Sequence, residues 1–178
     1  MAVDRTGAKP MPSQVRHRQA METRASPPLL LREVDHASDR SGALDVLAGA
    51  GWARDRLADW AATGTLLELY DPADGEPRGA ALVEVVHDGV YQLQAWAATI
   101  DTTDPAVSGR LVQAISDALR RVGGRRVVAS VGDADPQRLT LLLEAGFRFV
   151  SVERDASELA WGGRCDGSRD LIWMDQDL

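Results

Sequence analysis

Residues 94–124 read QAWAATIDTTDPAVSGRLVQAISDALRRVGG, and this stretch decides the fold. An apolar strand ends near Ala98, a short polar turn follows, and an amphipathic helix begins at Pro105. Val107, Leu111, Ile115, Leu119 and Val122 recur at steps of four, four, four and three, which places them on one helical face. Asp104 and Pro105 form a cap and first-turn pair, and Gly123-Gly124 supplies the stop. The helix starts with the small run Ala106-Val107-Ser108-Gly109. The free N–H groups of its first turn therefore stay open to an anion.

Upstream lies a hairpin. Gly79–Val86 and Val90–Ala98 are β-rich runs joined by an Asp88-Gly89 turn. A regular register places His87 opposite Val90, Val85 opposite Gln92 and Glu84 opposite Leu93. One face then carries His87, Gln92, Gln94 and Trp96, and the other Leu82, Glu84, Tyr91 and Leu93. Further out, strands are expected at Pro28–Val34 and Thr65–Tyr70, with a turn-rich loop from Asp71 to Pro77. Helices are expected at Asp39–Ala50 and Ala53–Ala62. Downstream come a strand at Arg125–Val131, a helix at Pro136–Ala145 closed by Gly146, and strands at Phe147–Glu153 and Leu171–Met174.

The sum is an α+β fold, a mixed, mostly antiparallel central sheet flanked by helices on both faces. Its order, β-α-α-β-β-β-α-β-α-β-β, is similar to that of the GNAT-type N-acetyltransferases over residues 28–178. Three segments carry the resemblance. Ala98 to Ser108 occupies the place of the family's V-x-P-x-x-(R/Q)-x-x-G-x-(G/A) motif, with Ile100 for Pro, Thr103 for Arg or Gln and Ala106 for Gly. Asp135 to Phe147 resembles the family's N-x-x-A-x-x-L-Y-x-x-x-G-F segment, with Asp135 for Asn and Leu142 for Tyr. Asp170 to Met174, followed by Leu178, is similar to its final strand.

The resemblance implies acyl transfer, with acetyl-CoA or another acyl-CoA as cosubstrate and a small-molecule or peptide amine as acceptor. It implies that Trp96, Ala97 and Ala98 contact the pantetheine arm, with Ala98 near the thioester. Thr103, Ala106, Val107, Ser108, Gly109, Arg110 and Asp135 complete the cofactor site. Asp101 and Asp104 add negative charge beside the expected anion, which Arg110 or another basic group would have to offset. For the base, Glu84 and Glu68 each lie in an otherwise apolar strand, where a half-buried carboxylate makes a proton acceptor. A solvent-facing Glu is the alternative for each. Tyr91 or Tyr70 could replace the missing acid. Trp52, Trp60 and Trp161 with Asp55, Asp59 and Glu158 would suit a cationic amine. The altered motif positions favour a second reading, a catalytically weak or inactive GNAT-like domain serving as a binding or dimerisation module.

The 178 residues carry a net charge of −7, which argues against nucleic acid as the main partner. Three histidines (His17, His36, His87) and the single Cys165 lack metal-ligand spacing, so no metal is expected. No apolar run reaches membrane-spanning length, and no Ser-His-Asp or P-loop pattern occurs. A cytoplasmic protein, with a homodimer open, is the expectation. Residues 1–27 lack apolar periodicity and are rich in Arg, Pro, Ser and Gln. They read as a disordered or loosely docked basic leader to a single domain spanning 28–178.

Overall fold

The computed structural model describes residues 29–35, 39–99, 105–156 and 168–178. Expectations for the leader, His36, Thr103, Asp104, Glu158 and Trp161 fall outside them. The elements run β1 (Leu30–Glu33), α1 (Ser41–Gly49), α2 (Arg54–Thr63), β2 (Thr65–Tyr70), β3 (Pro77–His87) and β4 (Val90–Ala98), then α3 (Pro105–Arg121), β5 (Arg126–Gly132), α4 (Pro136–Glu144), β6 (Arg148–Glu153) and β7 (Leu171–Asp177). They form one seven-stranded sheet in the order β1-β2-β3-β4-β5-β7-β6. Every neighbouring pair is antiparallel except β4 with β5.

Two cores sandwich the sheet. Val107, Leu111, Ile115 and Leu119 of α3, with Leu142 of α4, pack on Leu93, Trp96, Val127, Ala129 and Met174. Ala43 and Leu47 of α1, with Leu57 and Ala61 of α2, pack on Leu66, Leu82, Ala95 and Ala97. Helices thus cover both faces, and each fully buried Leu contributes about 1.5–3 kcal/mol of apolar transfer energy. Phe147 fills the core just ahead of β6, at 3% exposure. Gly123, at φ +85°, ends α3, and the Gly124 N–H reaches back to the Leu119 carbonyl at 2.8 Å. Val122 follows Arg121, the last residue of α3, and is 69% exposed, so the α3 stripe stops at Leu119 rather than including it. Pro77 opens β3 instead of closing the preceding loop.

The hairpin register departs from the regular one. His87 does face Val90, but Glu84 faces Gln92, Val85 faces Tyr91 and Val83 faces Leu93. Irregularities lie between Val85 and His87 and between Leu82 and Val83. At the second, Leu82 faces Ala95, so Gln94 is an extra residue in β4. Leu93 and Trp96 consequently share the α3 side, while Ala95 and Ala97 join the α1 side. The expected grouping of Trp96 with Gln92 and Gln94, and of Glu84 with Leu93, is corrected by these bulges.

Candidate functional site

The β4–β5 ladder runs from Val90↔Arg126 to Leu93↔Ala129 and goes no further among the described residues. Beyond that point β4 stays paired with β3 as far as Ala98↔Gly79. β5 stays paired with β7 as far as Gly132↔Leu171. Each strand keeps its outer partner and loses the inner one, so the sheet opens as a wedge with Gln94 at its apex. Parallel neighbours diverge at this point because the Gln94 bulge bends β4 and raises its local twist.

A cleft of about 210 Å³ lies at the open end. Trp96, Ala97 and Ala98 of β4 form one wall, and Ser108 of the first α3 turns lies beside them. Asp135, Gln137, Arg138 and Leu141, from the start of α4, face them, with Ala50 closing the α1 side. Val107 is 4% exposed and points into the core, so its side chain is not part of the lining. A Cβ built on Gly109 meets no atom within 4 Å, which leaves that backbone approachable.

Charge in the cleft comes from α4. Asp135 caps that helix by accepting the Arg138 backbone N–H at 3.0 Å. The Arg138 side chain pairs back to Asp135, Nε to Oδ2, at 3.4 Å. Its guanidinium carbon lies 4.9 Å from the Trp96 ring centroid and 5.5 Å from that of Trp52. Trp52 in turn makes an edge contact with Trp60, centroids 5.8 Å apart. Sequence reasoning did not single out Arg138 as a site residue. Its place three residues after a helix-capping Asp was the available signal.

The two candidate carboxylates differ sharply. Glu68 is 5% exposed and pairs with Arg32 at 2.5 Å. In register it is separated from Ala97 by Ala80 of β3, so it stands away from the wedge. Glu84 is half-buried and accepts a hydrogen bond from the Gln94 amide, Nε2 to Oε2, at 2.7 Å. Gln94 accepts in turn from Gln92 at 3.2 Å. Glu84 is therefore held at the apex. Tyr91 pairs with Val127 at the closed end, and Tyr70 lies under the Arg32 guanidinium, 4.4 Å from its ring centroid. Neither tyrosine lines the cleft, and Leu142 is fully buried. His87 is exposed beside the hairpin turn.

Among the described residues no three His, Cys, Asp or Glu side chains gather as a metal site, and no helix is long and apolar enough to cross a membrane. No family model matches the sequence, and no curated protein matches it. Solved structures do. An acetyltransferase from Bacillus subtilis, in complex with CoA, superposes with a TM-score of 0.71 at 16% identity, over 85% of this chain and 99% of that one. A GNAT family acetyltransferase from Elizabethkingia anophelis, with acetyl-CoA bound, gives 0.69 at 12% identity over 84% and 98%. The ribosomal-protein-S18-alanine N-acetyltransferase of Escherichia coli gives 0.68 at 17% identity over 84% and 94%.

Proposed function

We propose that this chain, which has the fold of the GNAT-type N-acetyltransferases, is an acyl-CoA-dependent N-acyltransferase acting on a small-molecule or peptide amine, with acetyl as the acyl group. The observation that carries the reading is the wedge where the β4–β5 ladder ends at Leu93 and Ala129. Strand edges released from each other offer backbone donors and acceptors to a ligand arm that carries amides of its own. The cleft residues fit such an arm: Ala97 and Ala98 leave room beside it, and Ser108 lines it from the start of α3, the end of the helix that favours an anion. Two neighbours of the same fold were solved with CoA or acetyl-CoA, and a third is named for an alanine acceptor.

An acyl-CoA in the wedge would supply a thioester whose carbonyl carbon bonds to the amine nitrogen as the carbon–sulfur bond breaks. Glu84 takes the proton that the amine gives up. Glu84 and Ala98 cannot both touch that carbon, because Gln94 and Ala98 lie four residues, about 13 Å, apart along the strand. The reacting centre therefore belongs near the apex, with Ala97 and Ala98 flanking the arm. Glu68, tied to Arg32, keeps a structural role. With Leu142 in place of a hydroxyl donor, the sulfur leaves as a thiolate that takes its proton from water afterwards, which a thiol pKa of about 8.5 or somewhat above allows.

Calorimetry with acetyl-CoA, followed by thiol release over an acceptor panel, tests the proposal. Heat on binding and thiol release with one class of amine are expected; no heat at millimolar cofactor ends it. A binding or dimerising module without catalysis is the second reading, favoured by the altered motif positions, among them Leu142, which is fully buried and has no hydroxyl to offer. Binding with no thiol release across the panel would select it.

A further inference from the structure

We infer that Gln94 is a positioning residue for the Glu84 carboxylate, an inference that rests on the acyltransferase reading above. The bulge places Gln94 outside the regular ladder, at the first position beyond the last β4–β5 pair. From there its amide donates to Glu84 Oε2 at 2.7 Å, across the strand pair. The Gln94 carbonyl accepts from the Gln92 amide at 3.2 Å, which fixes which way the Gln94 amide points. Two amides in series thus hold one oxygen of the Glu84 carboxylate and fix the side chain beside the apex. A flexible Glu on a strand would otherwise sample several rotamers.

The surroundings isolate this pair. In the same row of the sheet, Glu84 is followed by Gln92 and Val128; the charged groups nearest along this face are Arg126 on β5, with Asp175 on β7 beyond it, and His87 and Asp88 at the exposed hairpin end. Asp175 is itself paired with Arg126 and Arg148. On β2, Glu68 is paired with Arg32. On α1 and α2, Asp45 and Arg54 pair with each other at 2.8 Å, and Asp55, Arg56 and Asp59 complete the charged groups. Gln94 donates to the Glu84 carboxylate directly.

The test compares pH profiles of kcat/KM for the wild type, Gln94→Leu, Gln92→Leu and Glu84→Gln, with acetyl-CoA affinity measured by calorimetry in parallel. Removing a donor to the carboxylate disfavours its charged form, so in Gln94→Leu the acid limb moves to higher pH. At neutral pH the rate falls about 10-fold, the usual effect of losing a hydrogen bond to a charged group. The rate recovers at high pH, and acetyl-CoA affinity stays as in the wild type. Gln92→Leu moves the limb in the same direction by less. A uniform fall at all pH values, or an unmoved limb, overturns the inference while leaving acyl transfer intact. An unaltered profile in Glu84→Gln removes the base and the inference together. A wild type that transfers no acyl group to any amine ends the functional reading itself, and Gln94 then positions nothing.

Discussion

The Arg138 guanidinium lies over the Trp96 indole, 4.9 Å from its centroid, and also 5.5 Å from Trp52. Trp96 belongs to the core beneath α3, whereas Trp52 packs against the core beneath α1 and α2. One side chain on α4 therefore ties the two cores together across the opening in the sheet. Elsewhere the sheet joins those layers through its own hydrogen bonds, which are absent between the open ends of β4 and β5.

Arg138→Ala should consequently destabilise the protein. The residue loses contacts with two rings and its pairing with Asp135, while its side chain is only 14% exposed. The expected cost is about 1–3 kcal/mol. Arg138→Lys should recover only part, because an ammonium lacks the planar face that stacks on indole. Urea denaturation measures both, and an Ala variant with the wild-type midpoint would show that the stack contributes nothing.

Ser108 lines the cleft on the α3 side, where a phosphate would meet the helix. Ser108→Glu places a carboxylate there, and like charge should weaken acetyl-CoA binding by at least about tenfold. The substitution sits on a partly exposed helical position, so the unfolding transition should barely move. Unchanged affinity by calorimetry would mean the diphosphate is held elsewhere.

Elements whose signals are local were legible in the sequence. The α3 stripe follows from residue spacing, the hairpin from Asp88-Gly89, and the end of α4 from Gly146. What escaped depends on contacts between distant segments. Nothing around Gln94 announces a bulge, because its position is set by how β3 and β4 pack under two different helical layers. Arg138 escaped for the same reason, since Trp52 and Trp96 reach it from other elements. A place for a ligand arm beside Trp96, Ala97 and Ala98 was expected from resemblance alone. Periodicity describes one strand at a time and cannot say where two parallel strands stop pairing.

Asp39 at the start of α1 accepts the Ser41 backbone N–H at 2.9 Å. Hydrogen bonds from the Ser41 side chain and backbone hold its carboxyl below its ordinary value. A lowered value means the interaction is present above the unfolded-state value and is lost as pH falls through the folded one. Ser41→Ala removes the side-chain donor, so the Asp39 midpoint should rise, and carboxyl-carbon NMR reads it directly. A midpoint that stays put would assign the effect to the backbone N–H.

Gly64 joins α2 to β2 at a point with no space for a side chain. A Cβ there would come within 2.9 Å of the Trp60 and Val83 carbonyl oxygens, both backbone atoms that cannot swing aside. Its φ of −93° is open to any residue, so the obstacle is steric rather than torsional. Gly64→Ala should cost about 1–3 kcal/mol by forcing α2 off β3. A thermal midpoint equal to that of the wild type would mean the junction relaxes freely.

Asp135 offers the sharpest test of charge in the cleft, because its two roles can be separated. As a cap it accepts the Arg138 N–H, and Asn does that equally well. As an anion it lines the cleft and offsets Arg138. Asp135→Asn should leave stability nearly unchanged while removing a negative charge and releasing a positive one. Both changes favour a bound diphosphate, so acetyl-CoA should bind about 3- to 10-fold more tightly at low salt, with the gain shrinking as salt screens it. The opposite sign, a loss of affinity in the Asn variant, would mean that Asp135 orients Arg138 for the ligand rather than repelling it. Salt-dependent calorimetry on the two proteins separates these cases, since repulsion is long-ranged and screened whereas orientation is not.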